Sequence, residues 1–209
     1  MADTKGEYPV TLTIDYPDRS LNRLSTFFRG ILIIPAAVIL ALLVGPEGGS
    51  GQDAWRFFFI TGTSLFAPLV LMILFRRTYP RWWFDWNLNL AKFTGRVGAY
   101  AALLNDEYPS TEREQTVHIT MPYPDAKTDL LPGMPLVKWF LVIPHVFLLC
   151  FLGIAAAFCI LISWFAILFT GKYPRSLFDF VVGVARWGLR VSAYAILLVT
   201  DVYPPFSLE

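Results

Sequence analysis

The sequence predicts a mainly α-helical membrane protein built as a tandem duplication. Each copy holds a β-strand, a transmembrane helical hairpin and an amphipathic interfacial helix, which gives about four transmembrane helices and a small cytoplasmic two-strand pairing. Three observations lead to this fold class. One order of motifs occurs twice, the apolar residues fall in runs long enough for a bilayer, and the segments between those runs alternate or carry helical stripes of charge.

The motifs fix the copies. Val10 to Pro17 (VTLTIDYP), Ile34-Pro35, Tyr79-Pro80-Arg81, Arg96-Val97-Gly98-Ala99-Tyr100 and Tyr108-Pro109 return in the same order. Their counterparts are Val117 to Pro124 (VHITMPYP), Ile143-Pro144, Tyr173-Pro174-Arg175, Arg190-Val191-Ser192-Ala193-Tyr194 and Tyr203-Pro204. The first repeat covers 1–110, with a strand at 9–17, a membrane hairpin at 27–75 and an interfacial helix at 82–104. The second covers 111–209, with a strand at 116–123, a hairpin at 134–170 and an interfacial helix at 176–199.

Composition sets the solvent. The chain is 56% hydrophobic and 16% charged, against about 25% charged in an ordinary soluble domain. A net charge of +1 lacks the basic excess that phosphate recognition requires, so nucleic acid is excluded as a partner. The amino terminus is polar and has no cleavable signal pattern, so the first membrane helix is expected to serve as an uncleaved signal. Cys150 and Cys159 would lie on opposite faces of one helix, which implies packing rather than a disulfide or a metal site.

Phe27 to Val44 and Trp55 to Phe75 approach the roughly 20 residues needed to cross a bilayer. Between them the chain reads GPEGGSGQDA, a turn sequence. Leu136 to Thr170 is apolar almost without interruption, and as one helix it would measure about 50 Å. The duplication favours a hairpin turning near Gly153, with two short spans; a re-entrant hairpin or one strongly tilted helix are the alternatives. Basic residues cluster before the first span, from Arg76 to Lys138, and after Thr170, whereas Arg56 alone lies on the other side. The positive-inside rule then places both termini and the central segment in the cytoplasm of a multi-pass protein.

The interfacial helices share a polar stripe, with Asp85, Asn89, Lys92 and Arg96 in the first and Asp179, Gly183, Arg186 and Arg190 in the second. Trp82, Trp83 and Trp86 accompany the first, and Trp187 the second. Rings at headgroup depth with cations toward anionic lipid fit this pattern. Lys92, Arg96, Arg186, Arg190, Trp82, Trp83, Trp86 and Trp187 are therefore the candidate lipid or partner contacts, alongside the blander reading of solvated faces with aromatic anchors. The two strands alternate apolar and polar residues and are expected to pair with each other or with a partner's edge, the amphipathic helices or a second protein covering one face.

Catalytic machinery is not visible. Pro35, Pro68 and Pro144 can kink their helices, but no acidic residue lies deep in a predicted span to mark an ion relay. His145, whose repeat counterpart is Ala36, reads as a buried neutral histidine bonded to a neighbouring helix. His118 lies on the polar side of a strand. No nucleophile elbow, phosphate loop or zinc spacing is present, so neither catalytic residues, metal ligands nor cofactors are assigned.

The endings RVSAYAILLVTDVYPPFSL from Arg190 and RVGAYAALLNDEYP from Arg96, with YPRSLFDF at Tyr173, resemble a bacterial integral membrane family known as domain of unknown function 4389, present as two tandem copies. The first copy departs from the pattern after Pro109. The resemblance implies the bacterial cytoplasmic membrane and supplies no activity.

The functional expectation is a non-enzymatic accessory or scaffold protein that docks a larger membrane complex or organises anionic lipid. Its partners would be membrane lipids and another membrane protein or a second copy of itself. A small transporter or channel lined by kinked helices is the alternative, and a lipid-acting membrane enzyme ranks third.

Overall fold

The computed structural model describes residues 8–44, 66–131 and 133–209. The protein is mostly helical with one small sheet. In chain order, β1 is Thr11–Ile14, α1 Arg23–Phe27, α2 Arg29–Leu32, α3 Ile34–Val44 and α4 Phe66–Leu71. A π-helical turn, Met72–Arg76, leads on to α5 (Arg81–Ala101), β2 (Val117–Thr120), α6 (Met134–Thr170) and α7 (Arg175–Ala195).

The strands pair antiparallel as expected, Thr11 opposite Thr120 and Ile14 opposite Val117. The register is centred on Leu12 opposite Ile119, and these two residues hold the same place in the two sequence motifs. The ladder is therefore symmetric about equivalent residues. Alternation does the rest: Val10, Leu12, Val117 and Ile119 are buried, whereas Thr13, His118 and Thr120 face outward.

Each strand packs on a different helix, β1 on α7 and β2 on α5. The strand that opens each sequence repeat thus lies against the amphipathic helix of the other repeat. Two tyrosines fasten this exchange. Tyr16 donates its hydroxyl to the Tyr173 carbonyl at 2.6 Å, and Tyr123 donates to the Tyr79 carbonyl at 2.5 Å. The guanidinium of Arg175 lies over the Tyr16 ring and that of Arg81 over the Tyr123 ring. Helices α5 and α7 both run 21 residues and both begin directly after a Tyr-Pro pair, whose proline is the N-cap and holds the chain extended at the entry.

The second-half hairpin needs correcting. Residues 134–170 form one helix of 37 residues, about 55 Å long, with no turn at Gly153. Leu152 and Ile154 flank that glycine with apolar side chains, and a reversal there would strip several backbone groups of partners among apolar surroundings. The helix ends at Gly171, whose left-handed φ of 75° closes it. Helix α7 then runs back along α6, bringing Trp187 to His145 and Thr200 to Lys138.

The count of about four transmembrane helices is likewise corrected. Among the described residues α6 alone is long and apolar enough to cross a membrane. The run from Phe27 to Val44 is divided into α1, α2 and α3, with a break at Ile33. Pro35 explains that break, since it offers no N–H to the Ile31 carbonyl. Of the expected second span, 55–65 lies outside the described residues, Pro68 falls within α4, and the segment ends in the π-helical turn. Pro144, by contrast, sits inside the unbroken α6.

An unbroken α6 makes a mutational prediction. A methyl group at Gly153 meets no neighbour, so Gly153→Ala should stabilise the protein by about 0.5–1 kcal/mol. Thermal unfolding followed by circular dichroism checks this, and a drop in Tm would point to a reversal that needs glycine.

Candidate functional site

Two buried cations organise the ends of the helices. Arg29 opens α2 and is only 4% exposed, while Lys138, near the start of α6, is fully buried. Arg29 donates to the carbonyls of Tyr100 and Asn105, at 3.2 and 2.6 Å, and pairs with Asp106. Its guanidinium lies 4.1 Å from the centre of the Tyr100 ring. Lys138 repeats the arrangement. It donates to the Thr200 carbonyl at 2.7 Å, pairs with Asp201 at 2.7 Å and lies 4.9 Å from the Tyr194 ring centre.

Each aspartate also accepts a backbone N–H from the segment leading into the apolar helices, Asp106 from Asn22 at 2.6 Å and Asp201 from Leu131 at 2.7 Å. One carboxylate therefore joins three stretches of chain. A buried charge is tolerated only when paired and hydrogen-bonded, and here the carboxylate, the ring face and the carbonyls surround each cation, with Arg29 Nε left unpartnered. Neither clamp was named from sequence. The signal was present: each cation stands six residues before the proline of an Ile-Pro pair, and each aspartate two residues before a Tyr-Pro.

A second constellation, among the described residues, lies in the second half. Trp187 donates its indole N–H to His145 Nδ1 at 3.0 Å, so the neutral imidazole carries its proton on Nε2. That Nε2 is buried and unpartnered. Phe206 stacks on the imidazole at 4.0 Å and Tyr203 lies beside it. The segment after Pro204 forms a strap across α7. Arg186 donates to the Leu208 carbonyl at 3.1 Å, and Gly183 admits Leu208, since a Cβ there would sit 2.9 Å from that residue's backbone oxygen. Asn89 occupies the equivalent place in α5, and the first copy has no such strap sequence.

The predicted contact residues divide into two groups. Arg96 is buried and donates to the Ser110 carbonyl at 2.7 Å. Arg186 bonds the Leu12 carbonyl as well as Leu208. Arg190 lies over the Tyr8 ring at 5.7 Å. Trp83 and Trp187 are buried. These five point inward, where they fasten strand, strap and loop. Trp82 and Trp86 are exposed, and Lys92 is half-buried. The polar stripe of α7 thus turns toward β1 and the strap. Burial also pushes the Tyr8 and Tyr79 hydroxyls well above the ordinary tyrosine range, in Tyr8 against the lowering pull of Arg190. Both remain neutral donors, Tyr8 to the Val202 carbonyl and Tyr79 to that of Leu197.

Nothing in these constellations sets a nucleophile against a base. Their chemistry is that of buried ion pairs and capped carbonyls.

Residues 135–207 match the family described as Domain of unknown function (DUF4389). The matched stretch contains the Lys138–Asp201 clamp, His145 and most of the strap. Searches of curated proteins and of solved structures return no match.

The clamps predict a specific mutational pattern. Asp201→Asn should destabilise by about 3–5 kcal/mol, because it leaves the Lys138 ammonium buried and uncompensated. The double variant Lys138→Met with Asp201→Leu should recover most of that loss. A double-mutant cycle from chemical denaturation measures the coupling, and additive effects would contradict the clamp. The strap predicts that Gly183→Ala lowers Tm in the full chain, and that the penalty shrinks when the chain is ended at Pro204.

Proposed function

We propose that the protein is a non-enzymatic integral membrane accessory or scaffold protein of the bacterial cytoplasmic membrane, carrying two tandem copies of one family unit. The observation that carries this reading is the outward face of α6. Its most apolar 18-residue window is only 11% buried, whereas a core helix of a soluble protein would be mostly covered. Phe140, Phe147, Phe158 and Phe169 each stand more than half exposed along it, and Ile31, Ile34, Val38 and Leu42 continue the apolar surface on α2 and α3. Soluble monomers rarely leave so many large apolar side chains of one helix in contact with water. Lipid, or the apolar flank of another membrane protein, is the solvent it fits.

The twin clamps support the tandem-copy reading, because equivalent residues of the two motif sets build the same contacts. The amino- and carboxy-terminal segments meet through the Tyr8 bond to Val202, which supports placing both on one side of the membrane, taken here as the cytoplasmic side from the distribution of basic residues. The inward commitment of Arg96 and Arg186 favours a structural role for the amphipathic helices. They form a rigid layer over the sheet, and partner membrane proteins or a second copy would dock beside it.

The test is biochemical. Native protein is expected in the membrane fraction, resistant to alkaline carbonate extraction, and to purify in mild detergent as a stoichiometric complex or homo-oligomer. A chain released by carbonate would refute the integral placement. A strictly monomeric species without partner would refute the scaffold role.

A further inference from the structure

The elbow between the π-helical turn and α5 breaks a rule that the other half of the protein obeys. Arg77 adopts the left-handed conformation, φ 46° and ψ 45°, where its N–H caps the Ile73 carbonyl. At the equivalent position before the second Tyr-Pro-Arg the residue is Gly171, at φ 75°. Glycine adopts this conformation freely, whereas a side chain adopts it at a cost. Leu103 and Leu198 also have positive φ, but both are buried at 3% and 0% exposure, and packing offsets their strain. The Arg77 side chain is exposed and gains nothing of that kind.

Its neighbours share the pattern. Arg76 is exposed as well, and neither guanidinium has a hydrogen-bond or ion-pair partner among the described residues. Elsewhere the cations of the helices are largely consumed, Arg29 and Lys138 in the clamps and Arg96 and Arg186 on carbonyls. Phe75, at 77% exposure, and Trp82, at 64%, stand on either side of the arginine pair. Arg81 is exposed beside Trp82, with its guanidinium over Tyr123. The elbow joins an apolar segment to an amphipathic helix, so its cations and rings fall together at the edge of the apolar surface. Apolar rings at that edge with adjacent unpaired guanidiniums match the interfacial zone of a bilayer, where rings sit at headgroup depth and arginine meets phosphate bidentately.

We propose that Arg76 and Arg77 bind the phosphate of an anionic phospholipid headgroup, with Phe75 and Trp82 seated in the surrounding interface. The inference rests on the membrane reading and moves lipid recognition from the cations of α5 and α7 to the elbow. The strain at Arg77 is retained because glycine at that position would cap the helix equally well and would lack the guanidinium.

The full chain purified in mild detergent and exchanged into nanodiscs of phosphatidylcholine with phosphatidylglycerol tests it, with retained lipid read by native mass spectrometry. Wild-type protein should retain phosphatidylglycerol over phosphatidylcholine. Arg77→Gly should raise Tm by about 2–4 °C as strain is relieved, yet reduce that preference about fivefold, and Arg76→Gln should do the same to the preference. Arg113→Gln, at a remote exposed site, should leave it unchanged. A preference that survives both elbow substitutions, or falls equally with Arg113→Gln, overturns the proposal while leaving the membrane reading intact. Displacement of the lipid by inorganic phosphate overturns the lipid assignment in favour of a soluble anion. Wild-type protein that retains neither phospholipid and is released from membranes by carbonate overturns both readings.

Discussion

The structure depends on two partly buried carboxylates, Asp106 and Asp201. Each neutralises a cation that the fold has taken out of water and accepts a backbone N–H from the segment entering an apolar helix. A buried ion pair adds little net stability over apolar packing of the same shape, but breaking one leaves a charge that nothing compensates. The clamps therefore act as registration points. Arg29 and Lys138 can be buried only where Tyr100 with Asp106, or Tyr194 with Asp201, waits at the far end of the amphipathic helix. Each clamp thereby fixes where α5 or α7 ends relative to the helix before it.

The exchange of strands follows from the same economy. A two-stranded sheet is marginal by itself, so each strand needs a cover. Strand β2 lies on α5, the helix just before it in the chain, and β1 takes the equivalent place on α7. The Tyr16 and Tyr123 hydroxyls lock this arrangement by capping carbonyls at the start of the opposite helix. The sequence repeat and the packing unit consequently have different boundaries, and the two halves cannot be separated without stripping each amphipathic helix of its strand.

Among the described residues the halves differ most in their apolar segments, one unbroken α6 against the divided α1, α2 and α3, and then at a few single positions. The strap lies over Gly183, which leaves room for Leu208; the equivalent residue of α5 is the exposed Asn89. The left-handed cap is Gly171 in one half and Arg77 in the other. His145 faces Trp187 and Phe206, whereas Ala36 packs in a small apolar cluster with Leu40, Leu90, Phe93 and Val97.

The strands, their alternation, the two amphipathic helices and the apolar character of residues 134–170 were legible in the sequence because each is set by local periodicity and by the punctuation of Tyr-Pro pairs. The single 37-residue helix was not, because a repeat pattern suggested a turn that Gly153 is too weak to impose, and continuous backbone bonding in apolar surroundings prevails. The inward direction of Arg96, Arg186 and Arg190 was hidden for another reason. A helical stripe shows which residues share a face, but which neighbour covers that face is decided by contacts between residues 14 to 182 positions apart. Sequence alone thus determined the strands, the amphipathic helices and the apolar character of the long helix, through short-range preferences. Tertiary structure decided which strand lies on which helix and which cations are buried, because desolvation is settled only once distant segments have closed around a charge.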